Sequence, residues 1–213
     1  MIFKDRRDAG RKLLVRLYVD RDIKKGLKKV VVVSLLRGGV VIGDVIAKGL
    51  FCKHLPLVVA KIPASFNPEL AIGALCFDTV YLEKDVLRSV NIDKAAIRNQ
   101  IGIARRKFSS YLKRFNLKQY IYTRNLKGKI VILVDDGIAT GSTVKVAALY
   151  LRSKKLRSIY LAVPAAPSDF DTRGFDKTFI LTKDPYFSAV SKFYERFPQI
   201  EDKEVVKTLN VKR

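Results

Sequence analysis

Tryptophan is absent from the 213 residues, and methionine and histidine occur once each. A solitary histidine, His54, argues against a histidine-based catalytic triad or a histidine-rich zinc site. Cysteine is nearly as scarce. Cys52 and Cys76 have no metal-ligand spacing and too few partners for a disulfide framework, so reduced, buried thiols of a cytoplasmic protein are expected. No apolar run approaches the roughly 18–20 residues of a membrane span. The first residues, Met1 to Asp8, lack the apolar stretch of a signal peptide. Repeats, low-complexity segments and linkers are missing too, so one domain spanning 1–213 is expected. The other deficit is acid: 20 Asp and Glu stand against 42 Lys and Arg, a net charge of +22. Such an imbalance points to polyanionic partners, whether nucleic acid, anionic membrane or phosphorylated small molecules, and says nothing of fold. With 48% hydrophobic residues the chain has enough apolar surface to exclude wholesale disorder.

The hydrophobic pattern alternates strand and helix. Residues 5–26 read as a basic amphipathic helix with Leu13, Leu14, Leu17 and Tyr18 on one face and Gly26 as its stop. Residues 29–35 are a β-branched run without alternation, as in strands buried on both faces of a parallel sheet. A tight turn at Arg37-Gly38-Gly39 leads to a helix over 40–53 and a short strand over 56–61. Prolines make 62–69 a loop, and 70–82 hold two short strands, a hairpin or flap. Ile97, Ile101, Ala104, Phe108, Tyr111 and Phe115 step by three and four, which predicts one long helix over 92–115. Core strands follow at 129–134, 157–163 and 176–182, with a helix to about Lys154 between the first two. The pattern is that of an α/β fold, a doubly wound parallel sheet.

The segment Asp135-Asp136-Gly137-Ile138-Ala139-Thr140-Gly141-Ser142-Thr143 carries the strongest chemical signal. A buried strand delivers it at the carboxyl edge, where such sheets bind ligands. The backbone N–H groups of the helix that follows, with the Thr and Ser hydroxyls, suit a phosphate. The adjacent carboxylates would repel that phosphate, so they suit sugar hydroxyls or a divalent cation instead. A phosphate-binding P-loop is excluded because no Lys adjoins Gly141, and Gly38, Gly39 and Gly43 do not fit the dinucleotide fingerprint.

This segment resembles the phosphoribosyl-pyrophosphate (PRPP) motif of type I phosphoribosyltransferases. Leu36-Arg37-Gly38-Gly39-Val40 resembles their pyrophosphate loop, although Leu36 stands where a Pro is expected. Residues 61–73 resemble the lead into their flexible catalytic loop. The two ends, Phe3 to Gly10 and Phe193 to Pro198, resemble a bacterial and archaeal branch of the family whose acceptor is unassigned. The resemblance implies an α/β fold with a small hood, mostly 164–200 with N-terminal help. It further implies that Asp135 and Asp136 bind the ribose hydroxyls and Mg²⁺, and that Ala139 to Thr143, with Thr140, Gly141 and Ser142 between, wrap the 5-phosphate. Arg37, Gly38 and Gly39 would hold pyrophosphate, with Lys61 reaching it from the next strand. A closing loop within 62–95 would exclude water. In the 6-oxopurine enzymes the phosphate loop carries an acid where this chain has Ala139. A general base is therefore Asp136, a residue outside the loop, or unnecessary.

The acceptor is expected under the hood, where Tyr186 and Phe187 offer aromatic faces to a planar base. A homodimer follows from the resemblance alone. Residues 84–129 hold thirteen Lys and Arg against Asp85 and Asp93, half the net charge. Two readings of that excess stand. It is a solvated helix face, or it is an RNA or DNA surface on a phosphoribosyltransferase fold that senses PRPP or a nucleotide.

Overall fold

The computed structural model describes residues 1–68, 70–90 and 92–209. In chain order the elements are α1 (Arg6–Tyr18), α2 (Arg21–Lys25), β1 (Val30–Leu35), α3 (Gly39–Gly49), β2 (Lys53–Leu57), β3 (Ala60–Pro63), β4 (Ala71–Cys76), β5 (Thr79–Leu82), α4 (Lys84–Val90), α5 (Lys94–Arg114), α6 (Tyr120–Leu126), β6 (Ile130–Val134), α7 (Ser142–Arg152), β7 (Ser158–Pro167), β8 (Lys177–Asp184) and α8 (Asp202–Leu209). Short 3₁₀ turns lie at Leu27–Lys29 and Val190–Phe193.

The β-branched runs become the centre of a five-stranded sheet in the order β2-β1-β6-β7-β8, every neighbouring pair parallel. Their lack of alternation has the expected cause: both faces are covered. Val31, Val33, Val131 and Leu133 pack with Ala147 and Tyr150 of α7 and Tyr122 of α6 on one side. Val30, Val32, Ile130 and Ile132 pack with Leu13 and Leu17 of α1 and Ile42 and Ile46 of α3 on the other. The chain leaves β1 toward β2 and leaves β6 toward β7, in opposite directions. The carboxyl ends of β1 and β6 are thus the switch point of the sheet, and the crevice outside them is where ligands bind in such folds.

Three expectations change. The helix predicted over 5–26 breaks at Asp20, whose carboxylate accepts from the N–H groups of Asp22 and Ile23 at 3.0 Å each and so caps α2 as a new helix. The strand predicted over 56–61 is two strands. β2 ends at Leu57 in the central sheet, while β3, carrying Lys61, pairs antiparallel with β4 in a second sheet, β3-β4-β5. The expected hairpin over 70–82 is present as β4 and β5, and β3 makes it a three-stranded flap. The long helix is α5, and Ala104 and Phe108 bury it against Ile62 and Ile72 of that flap. Of the segment 164–200 assigned to a hood, 164–167 and 177–184 belong to β7 and β8. They pair across the sheet edge, Ala165 with Thr182 and Pro167 with Asp184. The remainder ties back to the N-terminus, where Phe3 N–H donates to Phe193 O at 2.8 Å and Glu195 N–H to Phe3 O at 2.8 Å.

Candidate functional site

β1 delivers the turn Leu36-Arg37-Gly38 to the switch point, and the peptide between Leu36 and Arg37 is cis. β6, its neighbour, delivers Asp135 and Asp136. The two glycines of the turn are there because these strand tips nearly touch. A Cβ on Gly38 would overlap the Asp136 carboxylate, and one on Gly39 would stand 2.8 Å from Val134 O. Glycine at these positions admits the carboxylate pair as well as any anion.

Asp136 is held from several sides. Arg6, buried in α1, donates from Nε and Nη2 to Asp136 Oδ2, both at 2.8 Å. Arg6 Nη1 donates to Pro198 O at 2.7 Å, and its guanidinium lies 3.7 Å from the centre of the Phe197 ring. The Tyr194 hydroxyl donates to Asp136 O at 2.6 Å. Asp135 accepts from the Asp136 N–H at 2.9 Å. Burial, and next the Asp136 charge, push the Asp135 carboxyl well above the usual carboxylate range, while the Asp136 N–H and the Lys61 ammonium pull the other way. A carboxylate in that position gains from an added cation or hydroxyl donor.

The loop after the pair is anchored by Ile138 N–H donating to Ala165 O at 2.9 Å. Ala139 and Thr140 are exposed, and Gly141 takes a left-handed φ of 85° against the Phe170 ring. Ser142 and Thr143 open α7. The Ser142 hydroxyl donates to Glu83 Oε1 at 2.8 Å, and Glu83 also accepts from the Tyr81 hydroxyl at 3.1 Å and faces Lys145 at 3.8 Å. Gly137 fits because Val190 fills the space where its Cβ would be.

Two cavities adjoin these loops, one beside the β1 turn and one beside the loop that follows the carboxylates. One of about 470 Å³ is lined by Arg37, Gly38 and Lys61, and by Lys107 and Tyr111 of α5. The other, about 440 Å³, is lined by Ala139, Thr140, Lys145, Phe170 and Phe187. Of the two aromatics expected at the acceptor, Phe187 lines this second cavity and stacks on Phe193 at 5.1 Å. Tyr186 is 91% exposed and lines neither cavity.

A family model for the phosphoribosyl transferase domain matches residues 98–179, which contain β6, the loop, α7 and β7. A Thermus thermophilus protein of known crystal structure, TT1426, superposes with a TM-score of 0.72 over 98% of both chains at 30% identity. Mycobacterium tuberculosis proteins from strains CDC 1551 and H37Rv, provisionally named as phosphoribosyl transferases, are 38% identical over 98% of this chain. The chain carries a phosphoribosyl transferase domain. It spans 46% of the length of those mycobacterial relatives.

A phosphoribosyl transferase site is expected to take Mg²⁺. Among the described residues no group of three or more His, Cys, Asp or Glu side chains converges as a metal cage. The Asp135–Asp136 pair nevertheless fits this ion. Magnesium commonly takes one or two carboxylates and draws its other oxygens from substrate and water. Four residues that the fold brings to these loops were given no role by the sequence: Arg6, Glu83, Lys107 and Tyr194. Arg6 lies 130 residues from its partner Asp136, and no spacing rule joins them. Lys107 was visible as charge, but only the packing of α5 on the flap shows which way it faces.

Proposed function

We propose that the protein transfers the ribose 5-phosphate group of PRPP to a nitrogenous base acceptor, with Mg²⁺, and releases pyrophosphate. The observation that carries this reading is the order of three neighbouring features across the switch point. They are a cation-lined cavity beside Arg37 and Gly38, the Asp135–Asp136 pair, and the hydroxyl-bearing N-terminus of α7. That order matches the order of groups along PRPP: pyrophosphate, ribose hydroxyls and 5-phosphate.

In this reading the N–H groups at the start of α7, with Thr140 and Thr143, hold the 5-phosphate, and the Ser142 hydroxyl joins them on turning from Glu83. Asp135 and Asp136 orient the ribose through its hydroxyls. Arg37 and Lys61 stabilise the charge that collects on departing pyrophosphate as C1 becomes oxocarbenium-like. Magnesium, when bound, would spread that charge further. The acceptor belongs in the cavity beside Phe187, between the loop and the C-terminal hood. Holding donor and acceptor in line does most of the work, since little covalent help is needed.

Pyrophosphate release, measured with Mg²⁺ and PRPP against purine, pyrimidine and other amine acceptors, tests the proposal. Acceptor-dependent release that is lost in Asp135→Asn/Asp136→Asn is the expected result. A second reading, a PRPP- or nucleotide-sensing module that binds RNA or DNA, is favoured by one feature. Arg105, Arg106 and Lys113 share an outward groove on α5 with Ser109 and Ser110. Absence of release with every acceptor, together with salt-sensitive oligonucleotide binding lost on reversing Arg105 and Arg106, selects that reading.

A further inference from the structure

The basic helix α5 has two differently directed charged faces. Its apolar side, with Ala104 and Phe108, lies on the flap. Arg105, Arg106 and Lys113 line the outward groove. Lys107 and Tyr111, one helical turn apart, line the 470 Å³ cavity beside Arg37, Gly38 and Lys61. Part of the charge excess on this helix therefore faces the switch point.

The charge around that cavity is unbalanced. Neither Lys61 nor Lys107 makes an ion pair among the described residues. Arg37 reaches a carboxylate only at 3.5 Å, on Asp202 at the start of α8. Asp202 in turn accepts a shorter bond from Arg114 at 2.7 Å, near the end of α5. Arg6 also lines the cavity but is committed to Asp136. Three cations from three elements, the β1–α3 turn, β3 and α5, thus converge on one space, and among the described residues none of them makes an ion pair shorter than 3.5 Å. Repulsion among them falls when an anion enters. Arg37 can then exchange a long contact with Asp202 for a short one to the ligand, while Arg114 keeps Asp202 neutralised.

We propose that Lys107 is a substrate-binding residue of the pyrophosphate end of the site, so that α5 forms part of the wall around the leaving group. The inference rests on the reading given under Proposed function and adds to it a contributor from outside the β1–α3 turn and β3. With Lys107 in place, the leaving oxyanion is met by a cation from a third element, α5. Tyr111, one turn further along, adds its ring to the same wall.

The experiment is calorimetric titration of the full chain with sodium pyrophosphate in Mg²⁺, and separately with ribose 5-phosphate. It compares wild type, Lys107→Gln, Lys107→Arg and the outward-facing control Arg105→Gln. Lys107→Gln is expected to weaken pyrophosphate binding about tenfold or more, the loss of one charge-assisted contact. Ribose 5-phosphate affinity should change by less than about twofold, because its phosphate sits at α7. Lys107→Arg should restore most of the loss, and Arg105→Gln should match wild type. Equal pyrophosphate affinity in wild type and Lys107→Gln overturns the inference and leaves the wider reading standing. Equal weakening by Lys107→Gln and Arg105→Gln also overturns it, since that result shows only the general field of the helix. A wild-type chain that binds none of pyrophosphate, ribose 5-phosphate and PRPP overturns the reading itself.

Discussion

Arg6 illustrates how one side chain can secure a site it was not expected to join. It neutralises Asp136, braces the backbone at Pro198 and lies on the Phe197 ring. Removing its charge leaves two adjacent, half-buried carboxylates with no guanidinium between them and solvent. Breaking a buried pair by deleting one partner is more damaging than replacing both, because an uncompensated charge stays behind. Arg6→Gln should therefore cost about 3 kcal/mol. Urea denaturation of Arg6→Gln, of Asp136→Asn and of the double variant checks this, with the double variant expected to lose less than the sum of the singles. Residue-scale chemistry also explains what could be read in advance. Asp135 to Thr143 is a contiguous run, so its carboxylates, glycines and hydroxyls were visible together. The Gly38–Asp136 and Arg6–Asp136 contacts join residues remote in sequence, and only the fold brings them into view.

At the scale of elements, β1 and β2 are joined by a polar bond inside an apolar layer. The Ser34 hydroxyl and His54 Nε2 are 2.7 Å apart, and α3 approaches so closely that a Cβ on Gly43 would overlap Ser34 Oγ. Burial lowers the His54 pKa to about 4, with Lys48 adding to the shift and Asp44 opposing it. In the unfolded chain the ring titrates near its ordinary value of 6.5. As pH falls, the unfolded state takes up the proton first. Stability is accordingly full above about pH 6.5 and declines toward pH 4. Chemical denaturation at a series of pH values should show this decline in wild type, and a much flatter profile over the same window in His54→Gln. Most elements were legible because their periodicity matches their burial. The strand over 56–61 was not, since Val58, Val59 and Ala60 are all apolar and give no sign that the chain leaves one sheet for another. The break after α1 did leave a trace, the capping Asp20, but the helical spacing on either side masked it.

At the scale of the whole molecule the +22 charge divides by location. Arg37, Lys61 and Lys107 line the cavity beside the β1–α3 turn, Arg6 is buried next to it, and Arg105, Arg106 and Lys113 line a separate groove. Like charges spread over a small surface repel one another and oppose compaction. Raising NaCl from about 20 mM to about 300 mM shortens the screening length several-fold, so the melting temperature should rise by a few degrees, as circular dichroism can follow. A fall on adding salt would show instead that attractive ion pairs dominate the surface. The charge total could be read from composition, but its partition could not, because it depends on how α5 lies across the flap. The long loops closed at the site bear on how the molecule comes to be made. Arg6 and Pro198 are 192 residues apart, and Tyr194, which braces Asp136, follows it by 58 residues. While the chain emerges from the ribosome, the β1–β6 core can form long before these supports exist. The carboxylate pair then stays without its braces until residues 194–198 have been made, some way behind β6.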